Sequence, residues 1–256
     1  AYIAEQYRKL SPAQQARFEP MITGFNPADM YAADHIRRVL QTYPGVFTGI
    51  GEFSIHKEFV SAKVSGDVAS LIDPAVDRIF DFTAESGLLS ILHSDIHMPF
   101  VKPEFRRLYF DQAVALFRRH PNSTIIWAHT GLGRVVQPVS DHLAMLEEIL
   151  SDPGLKHVYF DISWDEVAKY VVATPDATRQ TTALIEKYPD RFLFGSDNVA
   201  LTEPQALFAV FNQYQPLWDA LSPEASEAVR KGNFARLFDA AKVKVRSWEK
   251  THPAPL

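Results

Sequence analysis

The sequence predicts an α/β fold of repeated βα units, a (β/α)8-type barrel with a parallel sheet inside and helices outside. Three observations carry this expectation. Six short apolar runs bounded by turn residues recur along the chain, mostly without alternation, as strands buried on both faces do. Longer amphipathic stretches separate them. The polar residues that close the last five runs, Glu52, His93, His129, Asp161 and Asp197, stand 41, 36, 32 and 36 residues apart, the size of a βα unit with modest loops.

The elements follow in order. Residues 1–20 are polar and helix-like. The expected strands are "MITGF" (21–25), "VFTGIGEF" (46–53), "LLSILHS" (88–94), "TIIWAHT" (124–130), "VYFDIS" (158–163) and "RFLFGSD" (191–197). Between the first two, "DMYAADHIRRVLQTYPG" places Ile36, Val39 and Leu40 on one helical face and stops at Pro-Gly. "DPAVDRIFDFTAESG" opens with Asp73 as N-cap and Pro74 at the first helical position, and closes at Gly87. "LYFDQAVALFRRHPN", "SDHLAMLEEILSDPG" and "TRQTTALIEKYPD" repeat the pattern. After the last strand come "EPQALFAVFNQY" and a final helix that begins at Ser222-Pro223. Residues 243–256 are expected to form a C-terminal tail, and no linker divides residues 1–256, so the chain reads as a single domain.

Composition bounds the chemistry. The 256 residues are 46% hydrophobic with a net charge of -5, and no basic stripe suggests a nucleic-acid surface. The chain has no cysteine, which excludes disulfides, zinc–thiolate sites and a cysteine nucleophile. No apolar run approaches the roughly 18 residues of a membrane span. No signal sequence opens the chain, so a cytoplasmic location is expected, with a periplasmic or secreted one open if a leader was removed.

In a closed barrel the C-terminal strand ends share one mouth, where active sites are built. Glu52, His93, His129 and Asp197 are all metal-ligand or acid–base types. Imidazole and carboxylate together suit zinc, manganese or iron. A divalent ion so held would activate water, and a neighbouring carboxylate could take its proton. Each residue also has an ordinary reading. "GSDN" has strong turn composition, His93 and His129 could be core histidines, and Glu52 could pair with Lys57 or Arg134. Arg134 could clamp a substrate carboxylate, Trp164 could wall a pocket with Asp161 beside it, and His56 could touch substrate. Asp95 and His97 are expected at the surface, as are His35, His120, His142 and His157.

"GIGEF", "LHSDIH", "WAHTGLGR", "YFDIS", "FLFGSDN" and "KGNFARLF" resemble the amidohydrolase superfamily, specifically its amidohydrolase-2 branch, over about residues 20–240. The resemblance implies a metal-dependent TIM-type barrel. In it strand five gives a histidine ligand, strand six a histidine that binds metal or polarises substrate, and strand eight an aspartate that holds metal and moves the proton. These roles fall on His93, His129 and Asp197, and Glu52 sits where strand four of some members supplies a carboxylate or carboxylated-lysine ligand. The implied cofactor is a divalent metal, zinc first, with manganese or iron as alternatives. The family's first strand carries His-X-His, and this chain has no such triplet. Counting back from Asp197 as strand eight makes "MITGF" strand three, so a barrel incomplete at its N-terminus is expected, a piece of a longer protein. The implied activity is hydrolysis, with metal-activated water attacking an ester, lactone or amide carbonyl of a small molecule. A non-oxidative decarboxylase of the same fold and a metal-free binding or scaffold barrel are the alternatives. A homodimer through exposed barrel edges or the polar N-terminal helix is a further expectation.

Overall fold

The computed structural model describes residues 1–57, 69–199 and 202–254. Every expected apolar run carries a strand: β1 (Met21–Ile22), β2 (Gly49–Ser54), β3 (Leu89–His93), β4 (Thr124–Trp127), β5 (Val158–Asp161) and β6 (Phe192–Leu193). All neighbouring pairs are parallel, and the spatial order β1-β2-β3-β4-β5-β6 is the chain order. That is the path of a βα barrel over six consecutive strands, the incomplete barrel anticipated above.

The helices are α1 (Tyr2–Arg8), α2 (Pro12–Gln15), α3 (Ala32–Thr42), α4 (Pro74–Ser86), α5 (Leu108–Arg119), α6 (His142–Ser151), α7 (Asp165–Val171), α8 (Pro175–Lys187), α9 (Pro204–Gln213), α10 (Gln215–Ala220), α11 (Pro223–Glu227) and α12 (Asn233–Thr251). Their ends follow local chemistry. The Asp73 side chain accepts from the Ala75 N–H ahead of α4, and Gly87 closes that helix at φ 78°. Ser222 and Thr174 cap α11 and α8 in the same way.

The strands divide their side chains by the two-residue period. Ile50, Leu92, Ile125, Trp127, Val158 and Phe160 face outward into the main core, against Ile36 and Leu40 of α3, Ile79 and Phe80 of α4, and Phe110 of α5. The opposite set, Leu89, Ile126 and Leu193 with Ile91 and Tyr159, faces the barrel interior and meets Leu237, Phe238 and Ala241 of α12. In a complete barrel the interior is filled by side chains from eight strands. Over the six described strands, α12 covers part of that inner face.

Helix α12 also ties the two sides of the sheet together. Asn233 Nδ2 donates to Phe192 O on β6, 2.8 Å away. Arg246 Nη2 donates to Phe47 O ahead of β2 at 2.7 Å, and Lys242 pairs with Glu19 ahead of β1. The expected tail from residue 243 is therefore a correction: the helix continues to Thr251, with Val245 and Trp248 buried. Residues 255 and 256 of that tail lie outside the described residues. His120 and His142, expected in solvent, are also buried. His120 is held by Asp77 at 2.7 Å and Asp81 at 3.2 Å. No helix among the described residues is long and apolar enough to cross a membrane.

If α12 is the floor of the barrel, truncating its central ring is costly. Phe238 is 4% exposed. We predict that Phe238→Ala lowers unfolding free energy in urea by about 3–5 kcal/mol. A loss near zero would mean that the helix is not seated on the sheet.

Candidate metal centre

Parallel pairing delivers every strand's C-terminal end to one rim. Ser54 lies beside His93, Leu92 beside Trp127, Trp127 beside Phe160, and Asp161 beside Leu193. The backbone is unusual where these strands stop. The β2–β3 register shifts between Ile50 and Phe53, which moves Glu52 out of the regular ladder. Gly51, at φ 113°, has no room for a side chain, because a β-carbon there would collide with the carbonyl of Ile91. His56, His129, Thr130, Trp164 and Asp197 all have positive φ. Each such residue costs on the order of 1–3 kcal/mol and persists only where surrounding contacts hold it, which is the pattern of functional sites.

These distortions aim side chains at one point. Glu52 Oε1 lies 2.9 Å from His93 Nδ1, and Glu52 Oε2 lies 3.2 Å from His129 Nε2. Ligand-type atoms of Glu52, His93 and His129 all fall within 4.8 Å of one another. Asp197 joins through His129 Nε2, 3.8 Å from its Oδ2. Lys57 Nζ donates to Glu52 Oε1 at 3.1 Å. A tetrahedral ion with bonds near 2.0–2.1 Å sets its ligand atoms about 3.3 Å apart. The observed 2.9, 3.2 and 3.8 Å bracket that edge, and two imidazoles with carboxylates are a suitable donor set for a divalent cation.

A second layer orients His129. Its Nδ1 faces Asp161 Oδ2 at 3.3 Å and Ser163 Oγ at 3.2 Å, while Ser163 Oγ donates to Asp161 Oδ2 at 2.6 Å. A carboxylate behind an imidazole fixes which nitrogen points forward, here Nε2. Asp161 was expected to line the mouth. Instead it stands behind the ring.

The electrostatics follow from burial against pairing. Burial would push the His129 imidazolium's pKa down, but hydrogen bonds to Asp161 and Glu52 outweigh it and raise the pKa to about 10. His93 goes the other way: burial dominates the bond to Glu52 and lowers its pKa to about 4. Burial would raise the Glu52 carboxyl, but bonds from His129 and His93 hold it far below the usual carboxylate range. Asp197 is raised, first by burial and then by the charges of Glu52 and Asp161, against the pull of His129.

Above the cluster opens a cavity of about 720 Å³ lined by Glu52, His93, Asp197, Arg134, Trp164 and Lys57 together with Asp95 and Asn198. Trp164 lies under two cations, Arg134 at 5.4 Å and Lys57 at 5.7 Å. Glu52 pairs with Lys57 rather than Arg134, whose Nε approaches Glu166 at 3.5 Å. His56 is not among the lining residues. Its ring stacks on Tyr109 at 4.0 Å and its Nε2 accepts from Leu71 N at 3.4 Å. Asp95 and His97 are buried, not at the surface as expected. The loop after β3 turns inward, where Ile96 N donates to Gly131 O at 2.8 Å.

With this geometry established, comparison with known proteins places the chain. A family model described as amidohydrolase matches residues 15–240. The chain belongs to the amidohydrolase family. No curated protein sequence matches it. Among solved structures, this amidohydrolase is similar to an uncharacterised TIM-barrel protein from Bordetella bronchiseptica, with a TM-score of 0.62 and 13% identity over 93% of this chain and 72% of that one. An amidohydrolase from Burkholderia multivorans with bound zinc gives 0.55 and 14% over 89% and 75%. A 2,6-dihydroxybenzoate decarboxylase complexed with 2,6-dihydroxybenzoate gives 0.56 and 15% over 93% and 74%. At such identities the likeness shows the shared barrel fold. Family and cluster together support a divalent metal.

The pairing of His129 has a consequence for the metal-free protein. Its folded pKa, about 10, stands above the ordinary 6.5. The stability it contributes is therefore complete below pH 6.5 and is lost as pH rises toward 10. We predict that, in chelator, wild type loses more unfolding free energy between pH 6.5 and 9.5 than His129→Gln does. Parallel slopes for the two proteins would show that His129 does not carry this charge.

Proposed function

We propose that this amidohydrolase is a metal-dependent hydrolase acting on an ester, lactone or amide carbonyl of a small molecule. The observation that carries the reading is the meeting of Glu52 with His93 at 2.9 Å and with His129 at 3.2 Å, beside a cavity lined by Glu52, His93 and Asp197. Glu52, His93 and His129 would hold the ion, with Asp197 a further ligand on the side of His129. Such an ion polarises a carbonyl and brings the pKa of a water toward neutrality. Zinc fits the donor set best, and manganese or iron are the alternatives.

The protein's own groups supply the rest. Asp197, raised by burial, is the proton acceptor, because a base works best when its pKa approaches the working pH. His129 Nε2, fixed by Asp161 behind it, completes the ion's shell or faces the substrate carbonyl. Trp164 offers a flat apolar wall, and Arg134 beside it can take a substrate carboxylate in a bidentate grip.

That pairing of a flat wall with an arginine also supports the second reading, a non-oxidative decarboxylase of an aromatic or unsaturated acid. In that case Asp197 gives a proton to the ring carbon that loses carbon dioxide. Lactones, esters and hydroxybenzoates assayed side by side, with carbon dioxide measured, separate the two. A metal-free scaffold predicts none of these activities.

Three outcomes test the site. Because His129 carries a proton in the metal-free protein, zinc binding at pH 7.5 should release about one proton per ion, read with an indicator dye. His129→Ala should hold under about 0.2 equivalents of zinc. Asp197→Asn should lower kcat by about 10²–10⁴-fold while keeping most of the bound zinc. Wild type that takes up no metal, or Asp197→Asn at full activity, would end the proposal.

A further inference from the structure

A separate cavity, of about 210 Å³, lies between the sheet and its outer helices. Ile162 beyond β5 and Phe192 of β6 wall it on one side, and Leu146 of α6, Val171 of α7 and Leu184 of α8 on the other. None of the residues lining it lines the cavity above the metal centre. Its described lining holds no aspartate, glutamate, lysine or arginine. A charged molecule would lose its hydration there with nothing to pair its charge, so the cavity favours neutral ones.

One polar group in this wall is unsatisfied. His142 is 5% exposed, and its Nδ1 is buried without a hydrogen-bond partner. No other described residue of the lining has such an atom. Burial lowers the pKa of His142 to about 4, so the ring is neutral at pH 7, with one nitrogen a donor and one an acceptor. A buried nitrogen left unpaired costs about 1–3 kcal/mol. Two hydroxyls of the lining are already engaged: Thr130 Oγ1 donates to His129 O at 2.7 Å, and the Tyr170 hydroxyl donates to Gly133 O at 3.4 Å.

We propose that this cavity is a binding site for a small neutral phenol, its ring between the sheet and the helices and its hydroxyl bonded to His142. An apolar cavity of about 150 Å³ holds a benzene ring, so this one has room for a ring and its substituent. A phenol titrates at about pH 10 and stays neutral at pH 7. Its hydroxyl both donates and accepts, so it suits either nitrogen of a neutral imidazole. Glu52, His93, His129 and Asp197 do not line the cavity, so a molecule there is held and not turned over. Thr130 and Ile162, which do line it, adjoin His129 and Asp161 in the chain, so the site backs onto the segments that carry the metal centre.

The test titrates the full chain with phenol and with toluene, which has the same shape and no hydroxyl, followed by amide shifts in ¹⁵N NMR. Wild type should bind both. His142→Leu should bind phenol about 10-fold more weakly, the worth of one hydrogen bond, and toluene at least as well as wild type. Ala177→Phe, which sets a ring into the cavity from α8, should bind neither. In wild-type crystals soaked in phenol, the ring should occupy this cavity with its oxygen about 2.7–3.2 Å from a His142 ring nitrogen. That last readout needs no variant to fold, and it decides if His142→Leu does not. Wild type that binds no phenol, equal phenol affinity in wild type and His142→Leu, phenol bound by Ala177→Phe as tightly as by wild type, or a soaked ring found only elsewhere overturns the proposal. None of these outcomes bears on the metal centre, which zinc binding tests separately.

Discussion

A single partly buried carboxylate, Glu52, organises this molecule's interior rim. Two imidazoles and a lysine from three different segments converge on it, and each would be poorly placed alone. A buried charge is tolerated only when paired and hydrogen-bonded. Glu52 therefore obliges β2, β3 and the turn after β4 to end at the same height. The parallel register achieves this, and the rim's strained backbone turns the side chains inward. The same concentration of negative charge suits a divalent cation. Structure and chemistry thus depend on one group.

The fold meets a second constraint, an apolar inner sheet face that must be covered. The last helix answers it by crossing from β6 to the segments ahead of β1 and β2 and laying Leu237, Phe238 and Ala241 on the inner face of the sheet. The apolar floor lies beneath the polar rim, so the charges above it rest on low-dielectric packing rather than on water. That packing is why burial figures so strongly in the acid–base behaviour of His93 and Asp197.

Much of this was legible in the sequence. Six apolar runs became six strands because buried parallel strands need no alternation, and Asp73-Pro74 and Gly87 bounded α4 as their chemistry requires. Glu52, His93, His129 and Asp197 could be grouped because strand ends at βα spacing share a rim. The misses share a cause: long-range contacts leave no local mark. "KVKVRSWEK" looks charged and terminal, yet Phe238, Ala241, Val245 and Trp248 keep a three–four spacing that signals one buried helical face. His120 reads as an exposed helix end until Asp77, 43 residues away, is seen to hold it. Asp95 sits in polar loop composition, and only the inward path of its loop buries it. His56 has the residue type of a site, and its ring stacks on Tyr109.

The central claim is that these side chains share one cation, and the most direct measurement is anomalous scattering at the zinc edge from crystals of the zinc-loaded protein. The account predicts one peak within about 2.0–2.2 Å of His93 Nδ1, His129 Nε2 and a Glu52 oxygen. A peak elsewhere, or no peak with Glu52 still bonded to both rings at 2.9 and 3.2 Å, would contradict it.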